Sequence, residues 1–503
     1  MSMPAEHLST GRNLAELLHG FATAPAIELE GIASDSRRVR AGFLFLACPG
    51  IRSHGLDYAA DAAAAGAAAI AFDPRDVAAP DGLAIPAIAV PDLTGKLGEI
   101  ANRFYGRPSE AVRVLGVTGT NGKTTVAWFA AQCLNRCGRD CGYIGTLGAG
   151  LSEISIAESM TTPAAVELHG LLAEFRDAGA GYAAVEVSSH ALSQGRVDGV
   201  AFDTVMFTNL TRDHLDYHGS MRQYEEAKAR LFLDCSARYR IINLDSEFGT
   251  RLADLCGQDV ITVSTKFDRV ANGRPYVFVR SVVAQTGGSR VRVASSWGDA
   301  EFLLPLPGDF NVANAVVVLG LLLRQGVALS DACELLSATS APPGRLERVA
   351  AADGLPAVYI DYAHTPAAID SALRALKAHC RGRLWCVFGC GGNRDIGKRP
   401  QMAKAAERLA NRIVVTSDNP RDEIPGAIID EIVAGLTQAA RATVIEDRAA
   451  AIAWAIRAAA PDDVVLVAGK GHEHYQVIGD KRLEFSDYAV ARANLAARGE
   501  GGS

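Results

Sequence analysis

Residues 116–125 read Gly116-Val-Thr-Gly-Thr-Asn-Gly-Lys-Thr-Thr125, directly after the apolar run Ala111 to Leu115 and directly before Val126-Ala-Trp-Phe-Ala-Ala, whose apolar spacing is helical. Strand, glycine-rich loop and helix start, in that order, make a phosphate cradle. Loop amides and the helix N-terminus surround polyphosphate oxygens, Lys123 adds a cation, and the Thr124 hydroxyl can reach a magnesium ion. The loop departs from the strict G-x-x-x-x-G-K-[ST] form, because Val117 stands five positions before Gly122 and glycines stand instead at 116 and 119. A chance Gly-Lys-Thr turn is the competing reading, and the flanking strand and helix patterns disfavour it. The chain is read as one that handles a nucleoside triphosphate.

Outward from this loop, short apolar β-branched runs alternate with longer Ala/Leu-rich helical patterns, which predicts α/β architecture with largely parallel sheets. A length of 503 residues exceeds one ordinary core and suggests roughly three domains. The first, 1–108, holds the strand-like Gly42-Phe-Leu-Phe-Leu-Ala-Cys48 and an alanine-rich helix pattern near Tyr58 to Ala69. The second, 109–341, is the parallel-sheet ATPase domain, with further strands expected at Ala183 to Val187, Thr204 to Thr208 and Arg240 to Asn243. The third, 342–503, has strands expected at Ala357 to Ile360, Leu384 to Phe388, Arg412 to Thr416 and Val464 to Val467. Polar or glycine-rich residues follow each of these at once, which is where open α/β sheets bind ligands, so the third domain reads as a second, Rossmann-like binding domain.

The net charge of −7 and the lack of any long Lys/Arg run argue against a nucleic-acid partner. The N-terminus has no charged and apolar leader pattern, and no apolar run is long enough to span a bilayer; a cytoplasmic protein without membrane insertion is expected. Ten scattered cysteines without a C-x-x-C pair indicate neither a zinc site nor a disulfide framework, and most read as reduced core residues.

In the second domain, Glu186-Val-Ser-Ser-His190 and Asn209-Leu-Thr-Arg-Asp-His-Leu-Asp216 follow strands. Glu186 and His214 suit a cation beside the nucleotide, or else merely satisfy local hydrogen bonds; residue type alone leaves both open. Tyr224, Ala227, Lys228, Leu231 and Phe232 share one helical face, so Lys228 interrupts an apolar stripe. Periodicity favours a lysine that snorkels to water, against a buried one with a depressed pKa that is modified or catalytic. In the third domain, Asp361-Tyr-Ala-His-Thr-Pro366, Gly389-Cys-Gly-Gly-Asn-Arg-Asp395, Asp418-Asn-Pro-Arg421 and Gly469-Lys-Gly-His-Glu473 each follow a strand. The second of these lacks the G-x-G-x-x-G spacing of a dinucleotide site. Arg394, Arg421 and Glu473 instead suit a zwitterionic amino acid with an additional carboxylate, the competing reading being surface ion pairs of the two arginines.

The motifs G-T-N-G-K-T-T, E-V-S-S-H, N-L-x-x-D-H-L-D-Y-H, Y-x-x-x-K-x-x-L-F, D-Y-A-H-T-P, G-G-N-R-D-x-G-K-R-P and D-N-P-R occur here in that order. Over nearly its full length the chain resembles the Mur ligase family. The resemblance implies an N-terminal UDP-substrate domain, a central ATP domain and a C-terminal amino-acid domain. It implies an ATP-dependent ligase of peptidoglycan biosynthesis that adds meso-diaminopimelate to the D-Glu γ-carboxylate of UDP-MurNAc-L-Ala-D-Glu through an acyl phosphate, with Mg2+ as cofactor. It also implies site residues. Gly119, Thr120, Asn121, Gly122, Lys123, Thr124 and Thr125 would hold phosphates, Asn311 and Asn314 the adenine side, and Arg345 the ATP phosphates. Thr124, Glu186, His214 and Lys228, the last as a carbamylated lysine, would form the metal side, and Lys123, Lys228, His214 and Arg345 would be catalytic. Ser36, Thr161, Thr162, Ser188, Gln194 and Arg196 would take the UDP-substrate. Arg394, Asp418, Asn419, Pro420, Arg421, Gly469 and Glu473 would take the amino acid, D-N-P-R resembling the motif of diaminopimelate-adding members. No side chain is assigned in the loop Gly50 to Gly55. A folylpolyglutamate-type ligase would lack the N-terminal Asp35-Ser36-Arg37 and the D-N-P-R motif, and a nucleotide switch would leave Lys228 and the third-domain pocket without a role.

Overall fold

The computed structural model describes residues 12–50, 53–151, 154, 160–266, 273–285 and 287–500. Two compact units emerge, Met1–Val263 with Val270–Tyr276, and Ser264–Arg269 with Val277–Ser503.

The first unit contains two sheets. Strands Gly31–Ala33, Phe43–Ala47, Ala69–Phe72 and Ala87–Ala89 pair in chain order, all parallel. Helix Leu93–Phe104 turns Leu93, Ile100, Ala101 and Phe104 onto a core with Leu44, Leu46 and Ala69. The alanine-rich stretch near Tyr58 to Ala69 is not one helix. It forms helix Ala59–Ala64, Gly66 turns the chain at φ 91°, and Ala69 opens the next strand. Sheet pairing there outweighs the intrinsic preference of alanine for helix.

The second sheet of this unit runs Ile261–Ser264, Ala237–Asn243, Phe202–Phe207, Arg113–Thr118, Tyr182–Glu186, Cys141–Gly145, all parallel, with Gly148–Gly150 antiparallel at the end. The strand before the phosphate loop begins at Arg113 and not at Ala111, because Pro108 starts a helical turn through Ala111. It also runs on through Thr118, so part of the glycine-rich stretch is strand, where a side chain at Gly116 would meet the Phe202 ring at 2.7 Å.

In the second unit, Tyr276–Gln285, Gly288–Ser295 and Gly298–Leu304 form an antiparallel meander, a departure from the parallel expectation. Only residues 296 and 297 separate its last two strands, too few for a parallel crossover. Helix Asp309–Arg324 follows, buried on nearly every face, as its apolar sequence requires. Beside a two-stranded hairpin of Tyr475–Ile478 and Lys481–Glu484, a larger sheet runs Glu347–Arg348, Ala357–Asp361, Val464–Ala468, Leu384–Phe388, Arg412–Val415, Ala442–Val444, antiparallel only at the first pair. Alternate residues of one strand enter different cores. Leu384, Cys386 and Phe388 pack with helices Pro366–Lys377, Lys398–Leu409 and Pro425–Val433, whereas Trp385 and Val387 pack with Arg448–Ala458 and Asp487–Glu500. This is a doubly wound sheet, and its strand ends carry the motifs. No helix among the described residues is long and apolar enough to cross a membrane.

Candidate functional site

The phosphate loop is held by the residues that follow the neighbouring strand. Gly119 lies at φ 152°, and a Cβ there would sit 1.9 Å from Thr208 Oγ1, so only glycine fits. Thr120 N donates to Asn209 O (2.8 Å) and Asn121 N to Asn209 Oδ1 (3.0 Å), while Thr208 Oγ1 and Asn209 Nδ2 donate to Asn121 O (2.6 and 3.0 Å). Gly122, at φ 88°, caps helix Lys123–Arg136. The helix therefore starts two residues before Thr125, with Thr124 and Thr125 in its buried first turn. Lys123 Nζ folds back to donate to Gly119 O and Thr120 O, both at 3.0 Å, which keeps its ammonium group over the loop.

Lys228 does not snorkel. Its side chain is 1 % exposed, Nζ donates to Gly119 O at 2.9 Å, and the ammonium sits 4.5 Å from the Tyr224 ring centroid. Tyr224, Ala227, Leu231 and Phe232 of the same helix, Met221–Leu233, are buried around it, so the stem has no path to water. Burial, followed by the nearby Lys123 ammonium, pushes its pKa well below the ordinary lysine value. Tyr224 OH shares a hydrogen bond with Thr120 Oγ1 at 3.1 Å, tying the lysine's helix to the loop.

Glu186, the last residue of its strand, is fully buried and accepts from Thr124 Oγ1 (2.9 Å), Thr146 N (2.9 Å), Thr146 Oγ1 (3.2 Å) and Tyr143 OH. The local hydrogen-bond reading is thus realised, and it sets a hydroxyl and a carboxylate oxygen side by side, a donor pair suited to a hard cation. His214 stands at φ 51° with a half-exposed ring, 4.9 Å from His190 and 6.1 Å from Tyr224. Among the described residues no three His, Cys, Asp or Glu side chains converge as a metal cage. Thr124 and Lys228 lie outside that residue set.

The same carboxylate begins a second chain of contacts. Thr146 Oγ1 also lies within hydrogen-bond distance of Thr161 Oγ1 (3.3 Å), and Thr162 Oγ1 donates to Glu186 O (2.7 Å) while accepting from Ser188 N (3.0 Å). Ser188 caps helix Ser189–Ser193, Arg196 Nη1 donates to Thr162 O (2.9 Å), Arg196 Nε donates to Gln194 Oε1 (3.0 Å), and Gln194 Nε2 donates to Tyr217 OH (3.0 Å). Thr161, Thr162, Ser188, Gln194 and Arg196 are therefore one network reaching back to Thr124. Ser36 stands apart from it, in the helical turn Ser36–Arg38 capped by Asp35, with no hydrogen bond to those five among the described residues. Tyr143 and Thr146 escaped the sequence reading because neither stands in a motif. In the loop Gly50 to Gly55, residues 51 and 52 lie outside the described residues.

In the second unit, Asn311 and Asn314 are buried on helix Asp309–Arg324, Asn311 Nδ2 donating to Pro307 O at 2.8 Å. The Arg345 guanidinium lies 4.9 Å from the Tyr362 ring centroid, and its buried Nε has no hydrogen-bond partner among the described residues. His472 also packs against Tyr362, 5.6 Å between rings, with no partner for its Nδ1 among the described residues; burial, then the Arg345 and His474 charges, lower its pKa to about 4.

The amino-acid candidates converge at the carboxyl end of the doubly wound sheet. Asn419 Nδ2 donates to Glu473 Oε2 at 2.9 Å. Gly469, at φ 119°, leaves room for the Asp418 carboxylate, which would lie 2.5 Å from a Cβ there. Arg421 donates through Nη1 to Gly392 O (2.8 Å), and Arg394 is exposed, its Nη1 3.4 Å from Asn393 O. Neither arginine pairs with a carboxylate among the described residues, so the surface-ion-pair reading does not hold. Pro420 carries the chain between Asn419 and Arg421, and its carbonyl would lie 1.9 Å from a Cβ at Gly392. The two arginine loops are locked together, because Asn393 N donates to Glu423 Oε1 (2.5 Å) and the buried Arg399 holds Glu423 and Glu431 at 2.9 and 2.8 Å. Arg448 and Asp487, both fully buried, form a bidentate pair at 2.7 Å, and Arg448 Nη2 donates to Ala468 O just before Gly469. Lys470 also lies here, although the sequence reading gave Glu473 an incoming ammonium and no internal one. Arg448, Asp487 and Lys470 read as ordinary charges in the sequence, which does not show what a charge is buried against.

Three family models match the chain, "Mur ligase family, catalytic domain" at residues 28–105, "Mur ligase middle domain" at 117–322 and "Mur ligase, glutamate ligase domain" at 344–471. A protein of Xanthomonas campestris pv. campestris (strain 8004), named "UDP-N-acetylmuramoyl-L-alanyl-D-glutamate--2,6-diaminopimelate ligase", is 45% identical over 98% of this chain and 99% of its own length. A protein of the same name from Pseudomonas aeruginosa PAO1 is 45% identical over 92% of this chain and 94% of its own. A solved structure also titled with that activity superposes with a TM-score of 0.71 at 32% identity, over 94% of this chain and 96% of that one.

Proposed function

The chain belongs to the Mur ligase family, and from that premise we propose that it joins meso-diaminopimelate to the D-glutamyl γ-carboxylate of UDP-MurNAc-L-Ala-D-Glu at the expense of ATP, in the cytoplasm, as a step of peptidoglycan synthesis. A carboxylate is a poor electrophile. ATP transfers its γ-phosphoryl group to one carboxylate oxygen, giving an acyl phosphate and ADP; the amine of diaminopimelate adds to the acyl carbon, and the tetrahedral adduct expels phosphate and loses a proton to leave the amide.

In this reading Gly119 to Thr125 receive the phosphates, with Lys123 exchanging its two loop carbonyls for phosphate oxygens. Asn311, Asn314 and Arg345 serve the nucleotide, and Arg345 is suited to it by a buried guanidinium nitrogen that has no partner among the described residues. Thr124 and Glu186, with His214 and a carbamylated Lys228, would hold Mg2+, which when bound neutralises phosphate charge. A lysine reacts with carbon dioxide only as the neutral amine, and the burial of Lys228 favours that form. Ser36, Thr161, Thr162, Ser188, Gln194 and Arg196 would bind the UDP-substrate. Arg394, Asp418, Asn419, Pro420, Arg421, Gly469 and Glu473 would bind diaminopimelate.

The observation that carries the substrate assignment is Arg421. Its guanidinium is fixed through Nη1 on Gly392 O beside the Asn419–Glu473 pair, which together offer a carboxylate fork and an ammonium acceptor. The test is phosphate release from ATP and Mg2+ with UDP-MurNAc-L-Ala-D-Glu, with and without meso-diaminopimelate, the product being weighed by mass spectrometry. Release that depends on both substrates, with a product heavier by one diaminopimelate less water, is expected. Release without that mass, or none, would refute the proposal.

A further inference from the structure

Lys470 has no role in the scheme above, yet its side chain is completely buried. The chain turns it inward by an unusual local device. Gly469 at φ 119° and Gly471 at φ 54° flank it, and a Cβ on the second would lie 2.7 Å from Tyr362 Cβ. Both neighbours must therefore be glycine for the backbone to bring Lys470 under the pocket. Its ammonium donates to Asn419 Oδ1 at 2.9 Å and to Glu473 Oε2 at 3.0 Å. A buried ammonium costs free energy unless it is paired and hydrogen-bonded, and here both partners are residues already proposed to meet the substrate.

The consequence lies in which atoms remain for a ligand. Asn419 Oδ1 accepts from Lys470 Nζ and from Val477 N at 2.9 Å, so both its acceptor positions are used and the amide cannot turn over without facing two donors. Asn419 Nδ2 then points to Glu473 Oε2, which is shared with Lys470. Glu473 Oε1 makes no hydrogen bond among the described residues. Lys470 thereby sorts the pocket, leaving one amide N–H on Asn419 as a donor and one carboxylate oxygen on Glu473 as an acceptor.

We infer that Lys470 is a positioning residue that holds Asn419 and Glu473 in this arrangement, and that recognition of the ammonium group on the far centre of the amino-acid substrate depends on it. This rests on the proposed amino-acid site. Without the Lys470 ammonium, Glu473, whose side chain is 19% exposed, swings toward water and the acceptor is no longer fixed.

The test compares meso-diaminopimelate with 2-aminopimelate, which has the same carbon chain and both carboxylates but lacks the far ammonium group. Wild-type protein and Lys470→Met are assayed with each. The wild type should prefer diaminopimelate by roughly tenfold or more in kcat/KM, as a charge-assisted contact predicts. In Lys470→Met the KM for diaminopimelate should rise about tenfold with kcat nearly kept, and the preference should fall toward unity. An unchanged preference ratio in the variant, whatever its stability, would reduce Lys470 to a structural residue and overturn the inference, as would a wild type that does not distinguish the two compounds. If Lys470→Met does not fold, Lys470→Gln keeps an amide donor and should show an intermediate ratio; a wild-type ratio there overturns the inference equally. Failure of the wild type to make product from diaminopimelate is a different outcome, because it removes the proposed function and this inference with it.

Discussion

Replacing meso-diaminopimelate by L-lysine removes one carboxylate from the amino acid and nothing else that matters to Arg421. The structure allows the loss to be reasoned from the geometry of that residue. Arg421 stands at φ 52°, its N donates to Val477 O (3.1 Å), and its carbonyl accepts from Gly479 N (2.8 Å). Its Nη1 donates to Gly392 O at 2.8 Å and lies 3.4 Å from Asn419 O. Backbone and one amino group are thus pinned, while the Nε and Nη2 edge has no hydrogen bond among the described residues. That edge is the geometry that takes a carboxylate through two parallel bonds. A hydrogen bond to a charged group contributes ~1.5–3 kcal/mol; Arg421 is only half buried, so the pair is placed at ~2–4 kcal/mol, or roughly thirtyfold to ~10³ in kcat/KM. L-Lysine should be the poorer substrate by that factor. Arg421→Lys should keep the charge but lose the fork and the bond to Gly392 O, lowering kcat/KM for diaminopimelate by a similar factor while leaving that for L-lysine almost unchanged. Initial rates of phosphate release with both amino acids, on both proteins, measure all four values. L-Lysine used within about fivefold of diaminopimelate, or a variant that loses both substrates equally, would refute the reasoning.

Lys228→Met should reduce turnover by about 10² or more, the order found when one group that stabilises transition-state charge is removed, and added bicarbonate should not restore it. Its stability to urea should be equal to or above that of the wild type, because the ammonium's burial is only partly offset by one bond to Gly119 O and one aromatic contact; near-normal turnover in the variant would overturn the catalytic assignment. His472 predicts a pH effect of defined sign. Its folded-state pKa of about 4 lies below the ordinary histidine value of 6.5, so between those values the unfolded chain binds the extra proton. The stability it contributes is present above about pH 6.5 and is lost as pH falls toward about 4, with a slope of at most ~1.4 kcal/mol per pH unit. Urea midpoints measured across that window should fall less steeply for His472→Gln, and parallel curves would refute the assignment.

The motif-bearing strand ends were legible because they combine two signals that survive without tertiary context, an apolar β-branched run and an immediate change to glycine or polar residues. Glu186, Asp361 and Thr118 each close a strand close to where that change falls. The alanine-rich stretch and the meander were not legible. Alanine at position 69 enters a strand because Ile70 and Ala71 pair with strands on both sides, which no local preference expresses. The meander's strands alternate well, as with buried Val291 and Val293 beside exposed Arg290 and Arg292, but alternation does not state whether a neighbour runs parallel.

The lysines show the same limit where it bears on function. Lys123, Lys228 and Lys470 all end on main-chain or amide oxygens of loops that follow strands, yet the acceptors lie at very different distances along the chain. Lys123 finds Gly119 four residues away, so the phosphate-loop motif contains both donor and acceptor and could be read directly. Lys228 finds the same carbonyl from 109 residues away, and Lys470 finds Asn419 from 51. For these two, periodicity or flanking glycines show that the side chain occupies an inward position, but the oxygen that makes burial tolerable belongs to another element. A lysine in an inward position without such an acceptor would snorkel or destabilise the fold. Inward placement of Lys228 and Lys470 therefore depends on oxygens of loops that follow strands, which is the physical reason that both buried lysines among the described residues stand at strand ends proposed as sites and neither in an apolar core remote from them.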